Sequence, residues 1–322
     1  MYELSFLFFS TFAAAYFALH YRLLGVINIL TWTAVAATVA GFALALFTPY
    51  GVMPNQPFTG SWDGMFWHRN HAGSLMAFFN MLFLVRLLMD KQGFPRRLFF
   101  GLFYVLTAIH VFKSRSAAGI LVFIFLNFST LIAFGWISFR EKLKPWHYYS
   151  FFFTVFSGFM IFVANLGFFF GLLGRSSTMT GRTPLWEDLL VNVFPARPIL
   201  GHGFGAIWMQ ESFRVFMQNR QGWGHPIYFA DNGFLDILLN LGVVGLISFL
   251  IMFGFAGLRA LKHLRSTRSW MYILMVLALL YVFAGNLAYS FLMEVDYFVW
   301  MVFVMVYILV SRPFDGDAVT VQ

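Results

Sequence analysis

The sequence predicts an all-α protein that crosses a membrane several times. Hydrophobic residues make up 60% of its 322 residues and charged residues only 11%, whereas soluble domains carry about 25% charged residues. The apolar residues, 45 Phe and 10 Trp among them, fall in runs of about 20, the length of a membrane-spanning helix. Basic residues are concentrated in alternate connections between these runs. We therefore exclude a water-soluble globule and predict one polytopic helical domain over 1–322.

Nine apolar runs are long enough to be spans, and together they account for most of the chain. They are 4–20, 25–48, 72–89, 98–112, 117–139, 148–173, 233–258, 270–290 and 296–311. No Lys or Arg precedes the first run, whereas a secretory signal needs a positively charged start. The first run is therefore predicted to be a retained helix.

The basic residues predict the orientation of these spans, because cytoplasmic loops of membrane proteins are enriched in Lys and Arg. The predicted cytoplasmic residues are Arg22, Lys91, Arg96, Arg97, Arg140, Lys142, Lys144, Arg259, Lys262, Arg265, Arg268 and Arg312. The predicted outer segments are then the N-terminus, 49–71, 113–116, 174–232 and 291–295. An odd number of spans with an outer N-terminus predicts that further helices precede this chain.

Two features of the composition exclude other classes of protein. The absence of Cys excludes disulfides, thiolate nucleophiles and cysteine-based metal sites. The formal net charge of +8 is explained by the cytoplasmic loops, so we predict contact with membrane lipids and no nucleic-acid partner.

The outer segment 174–232 is the largest connection, and it departs from the charge pattern of the other outer segments. Its arginines are Arg175, Arg182, Arg197, Arg214 and Arg220. An anionic ligand at the outer leaflet is the simplest reason for these cations, and a structured cap without a ligand is the alternative. A helix should begin at Thr183 and Pro184, followed by a flexible glycine turn over 201–205 and an amphipathic stretch over 206–218.

Polar residues mark the start of the run 233–258. Asn232, Asp236 and Asn240 are spaced four apart and share one helix face, which should point into the bundle rather than toward lipid. This stripe fits either a substrate site or a structural polar seam between helices. We favour a functional role for Asp231 and Asn232, and packing for Asn240.

Two shorter outer segments carry further polar residues. Ser116 can cap the helix that begins after it, and Arg115 and Lys113 beside that positive helix end predict a phosphate site. Snorkelling of both cations at the membrane interface is the alternative. His68 and His71 could share a helical face, but no carboxylate pair accompanies them, so no metal site is predicted.

Five motifs on the predicted outer face, taken in chain order, resemble those of the O-antigen ligase and polymerase superfamily of bacterial polysaccharide assembly. The motifs are Trp67-His-Arg-Asn-His-Ala-Gly73, Lys113-Ser-Arg-Ser-Ala-Ala-Gly119, Thr180-Gly-Arg-Thr-Pro-Leu-Trp186, Arg197-Pro-Ile-Leu-Gly-His-Gly-Phe-Gly205 and Ala230-Asp-Asn-Gly-Phe-Leu-Asp-Ile-Leu-Leu-Asn-Leu-Gly242. Together they define a ligase/polymerase-like region over residues 60–250.

The resemblance implies a glycosyltransferase C-like membrane bundle that acts at the periplasmic face of the bacterial inner membrane. Family members take undecaprenyl-diphosphate-linked glycans as donors and transfer the glycan to a hydroxyl acceptor without a metal, so we expect no cofactor. The family's outer arginines hold the diphosphate, and that role falls here on Arg115, Arg182 and Arg197. Further candidate contacts to the donor are His68, Asn70, Lys113 and Asn232.

The candidate base departs from the family pattern. The family has His-Asn at the mouth of the helix that follows the large loop, where this chain has Asp231 and Asn232. We favour Asp231 as the group that takes the proton of the acceptor hydroxyl, because it lies at the matching position. His225, six residues earlier, is the alternative base, and an inactive protein is the third possibility.

The acceptor decides among three activities. A hydroxyl on another repeat unit would make the protein a polymerase, one on lipid A-core a ligase, and one on Ser or Thr of a protein an oligosaccharyltransferase. We favour a polymerase of O-antigen or exopolysaccharide repeats. The alternatives from other classes are a transporter or flippase, which should show repeated halves and charges at mid-membrane, and a non-catalytic membrane partner in polysaccharide export.

Overall fold

The computed structural model describes most of the chain as helix. The described residues are 2–54, 58–89, 93–138, 144, 146, 147, 150, 153, 154, 157, 158, 182–222, 227–267, 269–292 and 298–313. The long helices are α1 (Tyr2–His20), α2 (Leu23–Phe47), α3 (Arg69–Met89), α4 (Phe94–Lys113), α5 (Ala117–Ser138), α9 (Gly233–Thr267), α10 (Trp270–Ala288) and α11 (Phe298–Ser311). The helices of the large loop are α6 (Arg182–Asp188), α7 (Ala206–Met209) and α8 (Glu211–Gln221).

The prediction of an all-α polytopic membrane protein is confirmed. Within the described ranges the chain forms no strand, and its one antiparallel bridge pairs Val52 with Trp62. Eight of the nine predicted spans coincide with a helix, and the span 148–173 lies largely outside the described residues. Five helices are long and apolar enough to cross a membrane, and shorter apolar helices accompany them.

Four threonine hydroxyls within the helices are satisfied by their own backbone. Thr31, Thr38, Thr107 and Thr130 each donate to the carbonyl four residues earlier, at 2.6–2.8 Å. This local bond lets a polar residue occupy an apolar helix in a medium that offers no water.

The chain packs as two compact units, each built from separated stretches of sequence. The loop unit comprises Met1–Tyr16, Thr154–Ala256 and Val282–Tyr307. The α3 unit comprises Phe17–Phe153, Gly257–Tyr281 and Ile308–Gln322. Each unit holds some of the residues that the sequence marks as functional.

The α3 unit is organised around α3, which is buried along almost its whole length and packs against α4 and α5. Its crossing with α5 is close because Gly73 and Gly119 meet there: a Cβ on Gly119 would lie 2.7 Å from the Gly73 backbone. A polar seam runs beside this crossing, where Asn127 Nδ2 donates to Asn80 Oδ1 at 3.0 Å and Asn80 Nδ2 to Thr107 at 3.1 Å.

The large loop of the loop unit has an apolar core of its own. The buried residues of this core are Leu185, Leu189, Ile207, Trp208, Met217, Ile227, Ala230, Leu235 and Leu239. The first predicted helix is present as α6, but it continues as a π-helical turn over Leu189–Val193. That change of pitch leaves Leu190 43% exposed, although the sequence pattern places it on the apolar face. The predicted stretch 206–218 is two helices, α7 and α8, divided at Gln210.

The glycine turn over 201–205 is hydrogen-bonded to α9, around a break in that helix. Gly242 interrupts the helix with φ 66° and ψ −168°, a conformation open essentially to glycine alone. The groups around the break bond to the loop instead. These bonds are His202 N to Leu239 O, Gly203 N to Asn240 O, Gly205 N to Asn240 Oδ1, Val243 N to Pro198 O and Val244 N to Ile199 O, at 2.9–3.2 Å.

Candidate active site

The start of α9 carries the first group of candidate residues. Asn232 caps this helix, since its Oδ1 accepts from the backbone N–H groups of Phe234 and Leu235, both at 3.1 Å. An N-cap asparagine satisfies donors that the helix itself cannot. The cap places Asp231 just outside the helix, at the rim of the large loop.

Asp231 has an unusual backbone conformation. Its φ is 55°, and Arg115, with φ 50°, is the other non-glycine residue with positive φ in the described part of the chain. Such conformations are costly and concentrate at functional sites, where the surrounding structure enforces them. Both residues are candidates from the sequence alone, so the backbone independently distinguishes the same two positions.

Arg182 and Asp231 form an ion pair within the loop unit. Arg182 Nε lies 2.9 Å from Asp231 Oδ2, and the two side chains are 9% and 15% exposed. A guanidinium has five N–H donors in a rigid plane, so one arginine can orient a carboxylate and also bind an anionic ligand. The pair thus joins a cation and a proton acceptor, residues that lie 49 positions apart.

The peptide before Asp231 is held on both sides. The Ala230 carbonyl accepts from Trp186 Nε1 at 2.7 Å, and the Ala230 N–H donates to both carboxylate oxygens of Asp236 at 3.2 Å. Ala230 is fully buried. These contacts hold the chain rigidly where it enters the ion pair.

Asp236 is buried and accepts several hydrogen bonds. Beside the Ala230 N–H, it accepts from Trp208 Nε1 at 2.8 Å and, through a very short hydrogen bond, from the Ser290 hydroxyl. Sequence analysis places Asp236 on the inward face of α9 but misses Ser290 and Trp208. Both partners are remote in sequence, and an isolated Ser or Trp carries no pattern that would single it out.

A second group of candidates lies in the α3 unit, where α3 and α5 begin. The Ser116 hydroxyl donates to Asn70 Oδ1 at 3.0 Å and accepts from Gly119 N at 3.1 Å, so it caps α5 as predicted. Arg69, only 5% exposed, donates from Nη1 to the Arg115 carbonyl at 2.6 Å. Arg69 fixes the strained residue beside the helix end, and sequence analysis missed this role.

The remaining candidates have more exposed positions. Lys113 is exposed, with its ammonium 5.9 Å from the centre of the Trp62 ring. His68 is half-buried and packs edge-on against Phe58. Arg197 is exposed, at the end of the turn that follows α6. His225, the alternative base, lies outside the described residues.

Asp63 is the one carboxylate in the segment 58–71. Burial raises the pKa of Asp63 above the ordinary value, and the backbone hydrogen bonds from Asp63 and Gly64 oppose that shift in part. A raised pKa favours the neutral form of this carboxyl group.

The described residues hold no cluster of three or more His, Cys, Asp or Glu that could bind a metal ion. The described residues of the loop unit offer a positioned guanidinium and a carboxylate. Those of the α3 unit offer cations and hydroxyls at a helix N-terminus.

Comparisons with known proteins agree with these features. The profile of the O-antigen ligase family matches residues 102–250, a stretch that contains Arg115, Arg182, Arg197, Asp231 and Asn232 but not Asn70. A curated relative, the exopolysaccharide production protein ExoQ of Rhizobium meliloti, is 30% identical over 110 residues. These matches confirm the resemblance to the O-antigen ligase and polymerase superfamily. The fold defines a multi-pass membrane protein, and the matches show its similarity to proteins named for O-antigen ligation and exopolysaccharide production.

The matched stretch is 33% of this chain and covers 25% of ExoQ, so the chain matches about a quarter of that relative's length. No solved structure is significantly similar to this chain.

Proposed function

We propose that this protein transfers an undecaprenyl-diphosphate-linked oligosaccharide to a hydroxyl acceptor at the periplasmic face of the bacterial inner membrane. The observation that carries the proposal is the ion pair of Arg182 with Asp231, whose backbone is strained. We assign the guanidinium to the diphosphate and the neighbouring carboxylate to the proton of the acceptor. The family match spans both residues and supports the same class of reaction.

The reaction would be a single displacement at the anomeric carbon. The acceptor oxygen attacks that carbon while its proton passes to Asp231, and the bond to the diphosphate breaks with inversion of the anomeric centre. Negative charge develops on the departing diphosphate, so a fixed guanidinium at Arg182 stabilises the transition state more than the ground state. The planar fork of arginine suits the oxygens of a phosphate.

The large loop would exclude water from this reaction. Its helices enclose a common apolar core, and Trp186 and Trp208 bond directly to the chain around Asp231. A closed cover limits hydrolysis of the activated donor. Asn232 would serve mainly by capping α9, which keeps Asp231 at the helix mouth.

The α3 unit would bind anionic groups in its own right. Arg115 and Lys113 lie beside the N-terminus of α5, where backbone N–H groups and the helix dipole favour negative charge. Asn70 and His68 lie at the start of α3, and Asn70 bonds to the Ser116 cap. We propose that this cluster contacts a phosphate or acidic sugar of the lipid-linked substrate.

We favour a repeat-unit hydroxyl as the acceptor, which makes the protein a polymerase. The support is the similarity to a protein whose name describes exopolysaccharide production. O-antigen ligation to lipid A-core is the second candidate, favoured by the family match.

The test is transfer by purified protein in nanodiscs, given lipid-linked repeat units with and without lipid A-core. We expect Arg182→Ala to lower turnover about 100-fold or more, since loss of one transition-state donor typically has an effect of this size. Longer lipid-linked chains identify a polymerase, and product on lipid A-core identifies a ligase.

Arg220→Ala is the matched control, because Arg220 also pairs with a buried aspartate of the loop, Asp188, but makes no described contact with Asp231. It should retain transfer. Normal transfer by Arg182→Ala would overturn the assignment of Arg182, and the absence of transfer by the wild-type protein to either acceptor would overturn the proposed function.

A further inference from the structure

We infer that Asp236 is a positioning residue, which holds Asp231 in its left-handed backbone conformation and thereby keeps the carboxylate of Asp231 paired with Arg182. The inference rests on the proposed function only where it treats Asp231 as the reacting group.

The first observation is that the N–H groups of both residues that flank Asp231, Ala230 and Asn232, are connected to one carboxylate. The Ala230 N–H donates directly to Asp236 at 3.2 Å. The Asn232 N–H donates to Ser290 Oγ at 2.9 Å, and the Ser290 hydroxyl donates in turn to Asp236. The Asn232 bond fixes the peptide after Asp231. The peptide before Asp231 is held because the Ala230 N–H bonds to Asp236 and the Ala230 carbonyl accepts from Trp186 Nε1, so the backbone of Asp231 is constrained from both sides.

The second observation is the burial of Asp236, which is 1% exposed. A carboxylate is rarely buried unless hydrogen bonds compensate for lost solvation. Here Trp208 Nε1, Ala230 N and the Ser290 hydroxyl all donate to it. The Asp236 carboxylate therefore connects three parts of the loop unit through hydrogen bonds: the large loop, the chain before α9 and the turn after α10.

The third observation is that the turn with Ser290 is itself fixed. Asn286 Oδ1 accepts from the N–H groups of Phe291 and Leu292 at 3.0–3.1 Å, and the Gly233 N–H donates to the Tyr289 carbonyl at 3.2 Å. Contacts other than its bond to Asp236 thus hold the Ser290 hydroxyl in place. A left-handed aspartate needs such support, because nothing in its own side chain enforces the conformation.

A purely structural role for Asp236 makes a different prediction. If Asp236 only stabilised the packing between helices, its loss would lower the stability of the protein. It would change neither the order of the chain around Asp231 nor the turnover of the folded fraction. A positioning residue would change both of these, while leaving donor binding by Arg182 nearly intact.

The first experiment measures order directly and needs no activity. The chain has no Cys, so Tyr228→Cys, at a residue that is 50% exposed, gives a single site for a spin label three residues before Asp231. We expect the spectrum of an immobilised label for Tyr228→Cys alone. When Asp236→Ala is added to that variant, we expect the spectrum of a mobile label. Trp300→Phe is the control for loss of a partly buried hydrogen bond, because Trp300 donates to Thr11 at 2.7 Å elsewhere in the loop unit, and it should leave the label immobile.

The second experiment measures turnover per folded protein, judged by size-exclusion chromatography. Asp236→Ala should lower kcat between about tenfold and 100-fold, as expected for a misplaced reacting group. The KM for the lipid-linked donor should stay within about threefold, since ground-state binding is preserved. If Asp236→Ala does not fold, milder variants that remove fewer hydrogen bonds replace it in this experiment. They are Asp236→Asn, Ser290→Ala and Trp208→Phe.

The outcomes separate the two proposals. A mobilised label with reduced kcat supports the inference. An immobile label in the Asp236 variants, or a mobile label with unchanged kcat, overturns it. If the wild-type protein transfers nothing, the proposed function fails, and the label alone then decides whether Asp236 holds Asp231 in place.

Discussion

At the scale of single residues, chemistry and backbone strain point to the same positions. Arg115 and Asp231 are candidates because of their charge and their place in the motifs. The structure then shows that both have positive φ, which the side-chain pattern does not reveal. Strain of this kind persists only where neighbouring contacts enforce it. Arg69 at the Arg115 carbonyl and Asp236 at the Ala230 N–H are those contacts.

Two substitutions of Asp231 should separate its backbone role from its chemical role. Asp231→Asn should lose transfer because the carboxylate is gone, and both variants lose the ion pair with Arg182. Asn tolerates the left-handed region, whereas a β-branched residue does not, so Asp231→Val should lower the free energy of unfolding by about 1–2 kcal/mol more than Asp231→Asn. Thermal unfolding in detergent measures the difference, and equal stability of both variants would contradict the argument.

At the scale of elements, the helices were predictable and their interruptions were not. Each span follows from a local run of apolar residues, so 117–139 and 233–258 correspond closely to α5 and to most of α9. The break at Gly242 depends on residues 198–205, about 40 positions earlier, and no local pattern reveals that pairing. The close contact of Gly73 with Gly119 could not be predicted for the same reason, because the sequence around a glycine in an apolar run does not indicate which helix it contacts.

Gly242→Ala should destabilise the protein strongly. A Cβ there would lie 2.1 Å from the Ile199 carbonyl oxygen, in a backbone conformation that alanine rarely adopts. Gly254→Ala is the control in the same helix, because a Cβ at Gly254 meets no atom within 4 Å. We expect Gly242→Ala to lower the yield of monodisperse protein sharply, while Gly254→Ala is neutral or gains up to about 1 kcal/mol from better helix propensity. Equal behaviour would show that the break is not required.

Gly119→Ala tests the crossing of α3 and α5. Its Cβ would lie 2.7 Å from the Gly73 backbone, whereas a Cβ at Gly135, further along α5, meets nothing within 4 Å. Forcing the helices apart should cost about 1–3 kcal/mol, as overpacking typically does, and should weaken the Asn70–Ser116 contact. Thermal unfolding of Gly119→Ala beside Gly135→Ala gives the comparison, and a melting temperature unchanged in both would refute the close packing.

At the scale of the whole molecule, the number of spans and the charge pattern predict a topology that single cysteines can test. The absence of Cys means that each introduced thiol is the only one. Tyr50, 82% exposed in the outer segment 49–71, and Phe94, 78% exposed beside the basic residues at 96–97, should lie on opposite sides.

A membrane-impermeant maleimide added to spheroplasts should therefore label Tyr50→Cys and not Phe94→Cys. Permeabilised membranes provide the control, in which both thiols should react. Labelling of Phe94→Cys in intact spheroplasts would reverse the orientation derived from the positive charges.

Much of the site could also be anticipated at this scale, and the missing part has one physical cause. Charged and polar groups that would be costly in lipid stand out in an apolar sequence, which is how Arg115, Arg182 and Asp231 were found. The residues that hold them, such as Trp186 and Ser290, are ordinary in composition and become important only through contacts made across the folded chain.

The break at Gly242 has a consequence for the insertion of the newly made chain into the membrane. Lipid cannot bond to the peptide groups on either side of the break, and each unmet group costs several kcal/mol in hydrocarbon. Their partners, residues 198–203, leave the ribosome before α9 does. We therefore expect α9 to enter the bilayer and the preceding loop to dock in one cooperative step, in which the loop assists insertion of the helix that follows it.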